Sequence, residues 1–360
     1  MSALSEEIYR IFDEHLPNET DVLQHLKKLH HHHPDVNMLH VKDEYGESAG
    51  VFLAVVNKCA HALEYFLSFG TLDRVEASSV FLNALQSRHD QIVQILLRQE
   101  DWTFDIHYRH VEKIVCFDMD TIDAFLKRTP RNIRHLILFA AIQKHRFDVF
   151  RAYYPNFSQN VRSSYGSSLL HKAVESNEFD TCTFLLEHNP HMHWLTNRYM
   201  QTPLHLAVRN IKVSTKIAIL LLEKGADVHA VDTFHETPLR YAICARRGAR
   251  IICTLLQKGA DATYVSSEFH DTSPLRFLVD RRDKSVSEEE QSVKCMKMII
   301  AHHTPYQLAC GLESRPIPMT AAGRVLHRHF VECVFAKLVY PPSPLAKLPL
   351  ELREMICEKV

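Results

Sequence analysis

Histidine is the residue type in this sequence that most invites a chemical role, with 25 copies among 360 residues. The run His30 to His33 closes a basic helical segment, where imidazoles suit the negative end of a helix. The triplet His188, His191 and His193 lies in a turn, without cysteine or carboxylate partners at the spacing of a zinc site. Both groups are therefore predicted to be structural, and the sequence predicts neither a metal ion nor a cofactor.

Other reactive residue types also lack the patterns that catalysis needs. The nine cysteines contain no CxxC pair, which is typical of reduced thiols in a cytosol. No glycine-rich loop of the GxGxxG or GxxxxGK kind occurs to hold phosphates. No serine, cysteine or lysine stands in a motif with an obligate catalytic partner. The sequence therefore predicts a protein that is not an enzyme.

Charge and composition narrow the possible partners. Lys plus Arg number 42 and Asp plus Glu 43, so the formal net charge is −1, which opposes binding to nucleic acid by bulk charge. No apolar stretch approaches the roughly 20 residues that span a bilayer. The opening residues MSALSEEIYRIFDEH lack the basic start and apolar block of a secretory signal. We expect a cytoplasmic or nuclear protein with no nucleic-acid or membrane partner.

A four-residue motif recurs in the second half of the chain at intervals of 34, 35 and 36 residues. The copies are Ser168–His171, Thr202–His205, Thr237–Arg240 and Ser273–Arg276. Ser or Thr followed by Pro is an N-cap with proline at the first helical position, so each copy predicts a helix start. An apolar pair follows each copy, and Gly225 and Gly259 supply a left-handed residue that would end a second helix.

This pattern resembles the ankyrin repeat, which carries TPLH near its start and LLxxGAD near its end. The resemblance implies an all-α solenoid of helix-turn-helix units with β-turn fingers, whose stacking creates the core. It also implies that the protein binds other proteins. As the motif histidines of such repeats, His171 and His205 are expected to be hydrogen-bonded within the turn.

Less regular copies of the same helix-pair pattern precede the four clear repeats, which brings the expected number of repeats to about eight. Residues 45–160 are predicted to hold these degenerate repeats, and residues 161–303 the well-marked ones. Residues 1–44 read as an N-terminal helical cap with helices at Ser5 to Leu16 and Asp21 to His30. A charged insert, Asp280 to Gln291, is predicted to be a surface loop in the last repeat, either merely solvated or in contact with a partner.

Aromatic residues recur just before the motif in every clear repeat. They are Tyr165, Tyr199, Phe234 and Phe269, and Tyr45 stands before Gly46 in a similar setting. Because stacked repeats align equivalent positions, these rings are predicted to form a row along one edge. Exposed aromatic rings favour protein binding, whereas rings packed on their neighbours would be structural, and both interpretations stay open.

The C-terminal residues 304–360 follow a different pattern. Thr320 to Leu338 reads as one amphipathic helix, which a proline-rich break separates from a short helix begun by Leu348 and Pro349. This arrangement resembles a SOCS box, or the truncated F-box-like PRANC segment, although Phe330 stands where a SOCS box has cysteine. The residues that carry the resemblance are Leu326, Phe330, Cys333, Leu348, Pro349, Leu352 and Ile356.

Both resemblances imply an adaptor-binding segment, for elongin and cullin or for an F-box-type adaptor. The protein would then be the substrate-recognition subunit of a cullin-RING ubiquitin ligase, with a protein substrate on its ankyrin surface. The alternative is a stand-alone ankyrin scaffold or inhibitor in which the C-terminal helices only cap the last repeat.

Overall fold

The computed structural model describes residues 3–99, 108–131, 133–157, 160–245, 249–264, 273–280, 286–304, 308, 317 and 320–329. Within these residues the fold is all-α, and extended pairing is limited to the isolated bridges Lys42–Ser48 and Arg162–Ser168. None of the helices in this part of the chain is both long and apolar enough to cross a bilayer. The chain forms two compact units, Met1–Phe157 and Ser158–Val360.

The first unit consists of consecutive helix pairs. Its helices are α1 (Ala3–His15), α2 (Glu19–His32), α3 (Ala49–Val56), α4 (Ala60–Leu67), α5 (Arg74–Ser87), α6 (Asp90–Arg98), α7 (Tyr108–Ile114), α8 (Met119–Arg128), α9 (Leu136–Gln143) and α10 (Phe147–Tyr153). The first helices of successive pairs pack on one another from α1 to α9, and the second helices do so from α2 to α8. The pairs therefore stack in series as two layers.

The core of this unit lies between the two layers. Phe12 of α1, Phe66 of α4 and Phe81 of α5 are fully buried or nearly so. Gly50 of α3 allows the closest approach, because a Cβ atom there would lie 2.3 Å from ring atoms of Phe66. The predicted helices of the N-terminal cap and of the degenerate repeats are confirmed by the observed helices.

The second unit, Ser158–Val360, repeats this stacking. Its helices are α11 (Leu169–Glu175), α12 (Phe179–His188), α13 (Pro203–Arg209), α14 (Thr215–Glu223), α15 (Pro238–Cys244), α16 (Ala249–Gln257), α17 (Pro274–Asp280) and α18 (Val286–His302). First helices again pack on first helices, from α11 to α17, and second helices on second helices, from α12 to α18. Ala173, Ala207 and Ala242 are fully buried at equivalent places, as close helix packing requires.

Local cap chemistry sets the helix starts in the second unit. α11, α13, α15 and α17 each begin directly after the Ser or Thr of the repeated motif, as predicted. Ser168 and Thr202 form capping boxes with His171 and His205, respectively, satisfying donors that a helix N-terminus leaves free. The predicted left-handed helix ends are also present, since φ is +88° at Gly225 and +91° at Gly259.

The charged insert was predicted wrongly in part. α18 already begins at Val286, so residues 286–291 of the expected loop are helical. The acidic run Glu288 to Glu290 explains the difference, because glutamate is a good helix former and is favoured near a helix N-terminus. The insert therefore lengthens the second helix of its pair.

The C-terminal segment is described only in part. Residues 321–329 are helical, in agreement with the predicted helix over Thr320 to Leu338. Thr320 Oγ1 accepts a hydrogen bond from the Gly323 N–H and donates one of 2.7 Å to the Val279 carbonyl of α17. The start of this helix is therefore attached to the last described repeat.

A candidate protein-binding edge

Each well-described turn before a first helix has the same backbone shape. In the turn that carries Tyr199, the Asn197 N–H donates to the Gln201 carbonyl and the Met200 N–H donates to Asn197. The same two bonds occur in the turns of Tyr45, Tyr165 and Phe234. The aromatic residue therefore occupies the same position at the tip of every one of these turns.

In three of these turns, a polar side chain two residues before the aromatic ring stabilises the tip. Asn197 Oδ1 accepts from the Tyr199 N–H at 2.9 Å and from the Gln201 N–H at 3.0 Å. Asp232 does the same for the turn of Phe234, and Asp43 for the turn of Tyr45. This Asx arrangement mimics a backbone turn and tolerates the local geometry. Asp or Asn two residues before the ring is the sequence signal for this turn, and it was not part of the prediction.

Neighbouring turns of the second unit are joined directly. The Arg198 N–H donates to the Tyr165 carbonyl at 3.2 Å, and the Thr233 N–H donates to the Tyr199 carbonyl at 3.0 Å. Arg162 adds a bond of 2.7 Å to the Thr196 carbonyl. Successive aromatic residues are thus held one repeat apart in a single row, which we call the aromatic edge (Tyr165, Tyr199 and Phe234).

The rings of the aromatic edge point into solvent. Tyr165 is 66% exposed, Tyr199 52% and Phe234 48%. Among the described residues, ring contacts are found elsewhere in the chain but none joins these three rings to one another. The three rings are therefore partly covered by their surroundings without stacking on one another, and the edge presents apolar surface outward.

Buried histidines anchor the turns beneath the edge. His171 Nδ1 accepts from the Ser168 N–H, and its Nε2–H donates to the Gln201 carbonyl of the next turn at 2.9 Å. His205 repeats this, bonding to the Glu236 carbonyl at 3.1 Å. Burial lowers the pKa of His171 to about 4 and also lowers the pKa of His205, so both rings are neutral. The predicted structural role of these histidines is confirmed, and each one also reaches the next repeat.

A buried polar network fixes the last two turns of the edge. The Tyr241 hydroxyl donates to Asp232 Oδ2 at 2.7 Å, and the Gln201 amide donates to the same oxygen at 3.2 Å. Burial and the Asp232 carboxylate raise the pKa of Tyr241 to about 12. Burial would raise the pKa of Asp232, but the hydrogen bonds outweigh it and hold that pKa below its usual value. Asp232 is therefore a fully ionised anchor shared by two turns.

Two tip positions of the edge, Met200 and His235, hold a non-glycine residue in a left-handed conformation, and at Met200 this exposes more apolar surface. Met200 has φ of +55°, whereas glycine occupies the equivalent position in the turn of Tyr165. A left-handed non-glycine residue costs roughly 1 kcal/mol. The Met200 side chain is 52% exposed beside Tyr199, so this strain widens the aromatic edge without adding to the core.

The other predicted site residues fall elsewhere. Phe269, Phe330, Cys333, Leu348, Pro349, Leu352 and Ile356 lie outside the described residues. Leu326 is fully buried, so in this arrangement it does not present a surface for an adaptor. His188 bonds to the Phe184 carbonyl, and in the described part of the chain it is not brought together with His191 and His193 as a metal-binding group.

Comparison with known proteins agrees with this geometry. Residues 137–232 match the family model for ankyrin repeats, in three copies. Residues 137–232 are thus similar to three ankyrin repeats. A Rickettsia bellii (strain RML369-C) protein that carries the name ankyrin repeat protein is 30% identical over 145 residues, which represent 32% of this chain and 60% of the relative. The chain thus spans less than two thirds of that relative's length.

Ankyrin repeats indicate a protein–protein interaction module. The matched residues reach from α9 through α14 of the layers described above and include the turns of Tyr165 and Tyr199. The arrangement supplies a rigid surface with aromatic anchors, which suits recognition of another protein.

Proposed function

We propose that this protein binds another protein through the aromatic edge of its ankyrin repeats. The observation that carries the proposal is the row of exposed rings at Tyr165, Tyr199 and Phe234 on turns that are locked from below. Tyrosine and phenylalanine bury large areas at small entropic cost, and a preorganised edge loses little freedom on binding. The repeats act by positioning the partner and perform no chemistry of their own.

Strain at the centre of the edge supports the same role. Met200 extends the apolar surface next to Tyr199 although glycine would relieve the backbone at that position. Replacing Met200 with glycine should therefore stabilise the fold slightly, by roughly 1 kcal/mol, while it weakens partner binding. A gain in stability without loss of binding would remove Met200 from the interface.

A crosslinking experiment tests the edge itself. A photoreactive phenylalanine analogue placed at Tyr199 of the full chain should crosslink a protein partner in native lysate, and mass spectrometry should identify that partner. The purified partner should then bind the double variant Tyr199→Ser, Phe234→Ser at least tenfold more weakly than the unaltered chain. Circular dichroism should show that the variant remains folded, because both rings are exposed.

Tyr45→Ser provides the matched control. Tyr45 sits on a turn of the same shape and is more exposed than the rings of the edge, but it belongs to the first unit. We expect its replacement to leave binding unchanged. Equal binding by the double variant and the unaltered chain would refute the proposal.

We also propose, from the sequence pattern of residues 304–360, that the protein binds a ubiquitin-ligase adaptor and so brings its partner to the ligase. The support is the sequence resemblance to SOCS-box and PRANC segments. Since Leu326 is buried next to the last described repeat, its contact with an adaptor would require residues 320–329 to leave that position.

Co-purification separates this role from a stand-alone scaffold. The full chain should retrieve elongin with cullin, or an F-box-type adaptor, and the variant Leu352→Ala, Ile356→Ala should not. If the unaltered chain retrieves none of these proteins while it still binds its partner through the aromatic edge, the chain is a scaffold or inhibitor. The two proposals can therefore fail independently.

A further inference from the structure

Three side chains of residue types that bind metal ions lie close together where α1 connects to α2. His15 is the last residue of α1, and Asp21 and His25 lie one turn apart in α2. His15 Nδ1 is 3.1 Å from Asp21 Oδ2, and His25 Nδ1 is 3.5 Å from Asp21 Oδ1. The three donor atoms all lie within 4.8 Å of one another, and among the described residues this is the group of metal-binding residue types that is so close together.

The two imidazoles are arranged as a pair. Their ring centroids are 3.7 Å apart and their planes differ by 11°, so the rings are stacked. Because a bound metal ion lies in the plane of each imidazole that binds it, one ring must turn about its Cβ–Cγ bond before both rings can bind one ion. Each ring presents Nδ1 to a different oxygen of the same carboxylate. The three side chains are half-buried, with exposed fractions of 23%, 38% and 31% for His15, Asp21 and His25, which leaves the group accessible from solvent.

The spacing of the donor atoms fits a transition-metal ion. Metal–ligand bonds of about 2.0–2.1 Å in a tetrahedral site place neighbouring ligand atoms about 3.3 Å apart. Each imidazole Nδ1 is already near that distance from one oxygen of the Asp21 carboxylate, at 3.1 Å for His15 with Oδ2 and 3.5 Å for His25 with Oδ1. Two imidazoles and one carboxylate suit Zn²⁺, Co²⁺ or Ni²⁺, whereas Mg²⁺ and Ca²⁺ prefer oxygen ligands alone.

The group differs from the other helical histidines of the chain. His25 Nδ1 lies 2.9 Å from the Asp21 carbonyl, a bond to the preceding turn that His32 and His188 also make. Only His25 combines it with the Asp21 carboxylate and a stacked second imidazole, as far as the described residues extend. A metal ion would take the Nδ1 lone pair and replace this bond.

We propose that His15, Asp21 and His25 bind one divalent transition-metal ion, with zinc as the representative. Three protein ligands leave the fourth position open, and the exposure of the group lets water fill it. Because His15 ends α1 while the other two ligands lie in α2, the ion links the two helices. It thereby stabilises the N-terminal pair that covers α3 and α4.

Cobalt binding to the full chain tests the site without interference from the cysteines. The protein is treated with EDTA, kept reduced with a non-chelating phosphine, and titrated with CoCl2. The unaltered chain should develop visible d–d bands without the near-ultraviolet band of a cobalt–thiolate bond. His15→Asn and Asp21→Asn should each weaken the cobalt affinity at least tenfold.

His61→Asn is the matched control. His61 Nδ1 lies 3.0 Å from Glu19 Oε2 in the same unit, but no third ligand joins this pair in the part of the chain that the structure describes. Its replacement should leave cobalt binding unchanged. Equal binding by the His15→Asn variant, or an equal loss in His61→Asn, would overturn the proposal.

Footprinting of the unaltered chain gives a second test that does not depend on how the variants fold. Zinc should protect His15 and His25, but not His61, from acylation by diethyl pyrocarbonate, as measured by mass spectrometry. Identical acylation rates of His15 with and without zinc would overturn the site.

Discussion

In Met1–Phe157 arginine side chains carry bonds from one helix pair to the previous one. In Ser158–Val360 the side chains of buried histidines and of Arg162 carry bonds to the next turn. Arg146 Nη1 donates to the Val115 and Phe117 carbonyls at 2.8 and 3.2 Å, and Arg128 donates to the Leu97 carbonyl at 3.1 Å. In the second unit His171 and His205 reach a carbonyl of the following repeat. The same stacked architecture is thus joined by two kinds of polar bond.

The lengths of the connections between helix pairs also differ between the two units. In the first unit, residues 68–73 join α4 to α5 and residues 129–135 join α8 to α9. In the second unit, residues 189–202 and 224–237 make the corresponding connections and are roughly twice as long. A long connection also occurs in the first unit, where residues 33–48 precede α3 and carry the turn of Tyr45, so a projecting turn accompanies the long connections in both units. Three such turns follow one another at Tyr165, Tyr199 and Phe234, which makes the aromatic edge a feature of the second unit.

Lowering the pH should produce the largest difference in stability between the two units, because it should destabilise Ser158–Val360 more than Met1–Phe157. The pKa of His171 is about 4 in the folded chain against an ordinary value of about 6.5, so between these pH values the unfolded chain binds the proton and the folded chain does not. Stability is fully present above about pH 6.5 and decreases toward pH 4, by on the order of 3 kcal/mol. Hydrogen exchange resolved by unit should show this loss in Ser158–Val360.

The variant His171→Gln is the control for this pH effect. It removes one titrating ring, so the decrease in stability between pH 6.5 and pH 4 should be smaller than in the unaltered chain. An equal decrease in both units, or an unchanged slope in the variant, would show that buried histidines do not distinguish the units.

Gly50→Ala should destabilise the first unit alone. The new Cβ would lie 2.3 Å from the fully buried Phe66 ring, and overpacking of this kind outweighs the better helix propensity of alanine. We expect the free energy of unfolding to fall by about 2 kcal/mol, measured by urea denaturation with a probe in each unit. In a Phe66→Leu background the additional loss should largely disappear, and an unchanged loss there would contradict the contact.

Arg146→Met should have a smaller effect, again confined to the first unit. It removes a charged donor from the Val115 and Phe117 carbonyls, which should cost about 1.5 kcal/mol in the free energy of unfolding. Arg151→Met, an exposed change on the neighbouring helix α10, should cost less than about 0.5 kcal/mol. Equal values for the two variants would mean that the arginine bonds do not join the helix pairs.

Much of the fold was predictable because its determinants are local. The N-caps at Ser168, Thr202 and Thr237 place three helix starts to the residue, since cap and first turn are adjacent in the chain. The helix boundary at Val286 was missed because a charged segment was taken for a loop, although its glutamates favour helix. The tip positions Tyr165, Tyr199 and Phe234 followed from the repeat interval alone.

Contacts between residues distant in sequence were decided by the tertiary structure. The sequence by itself determined the helix-pair rhythm, the caps and the positions of the tip residues, because short-range hydrogen bonding and apolar periodicity specify them. Only packing decided that Gly50 would meet Phe66, that His171 would reach the Gln201 carbonyl, and that His15 would join Asp21 and His25. Such contacts depend on the angle and the distance between helices, which no local sequence pattern specifies.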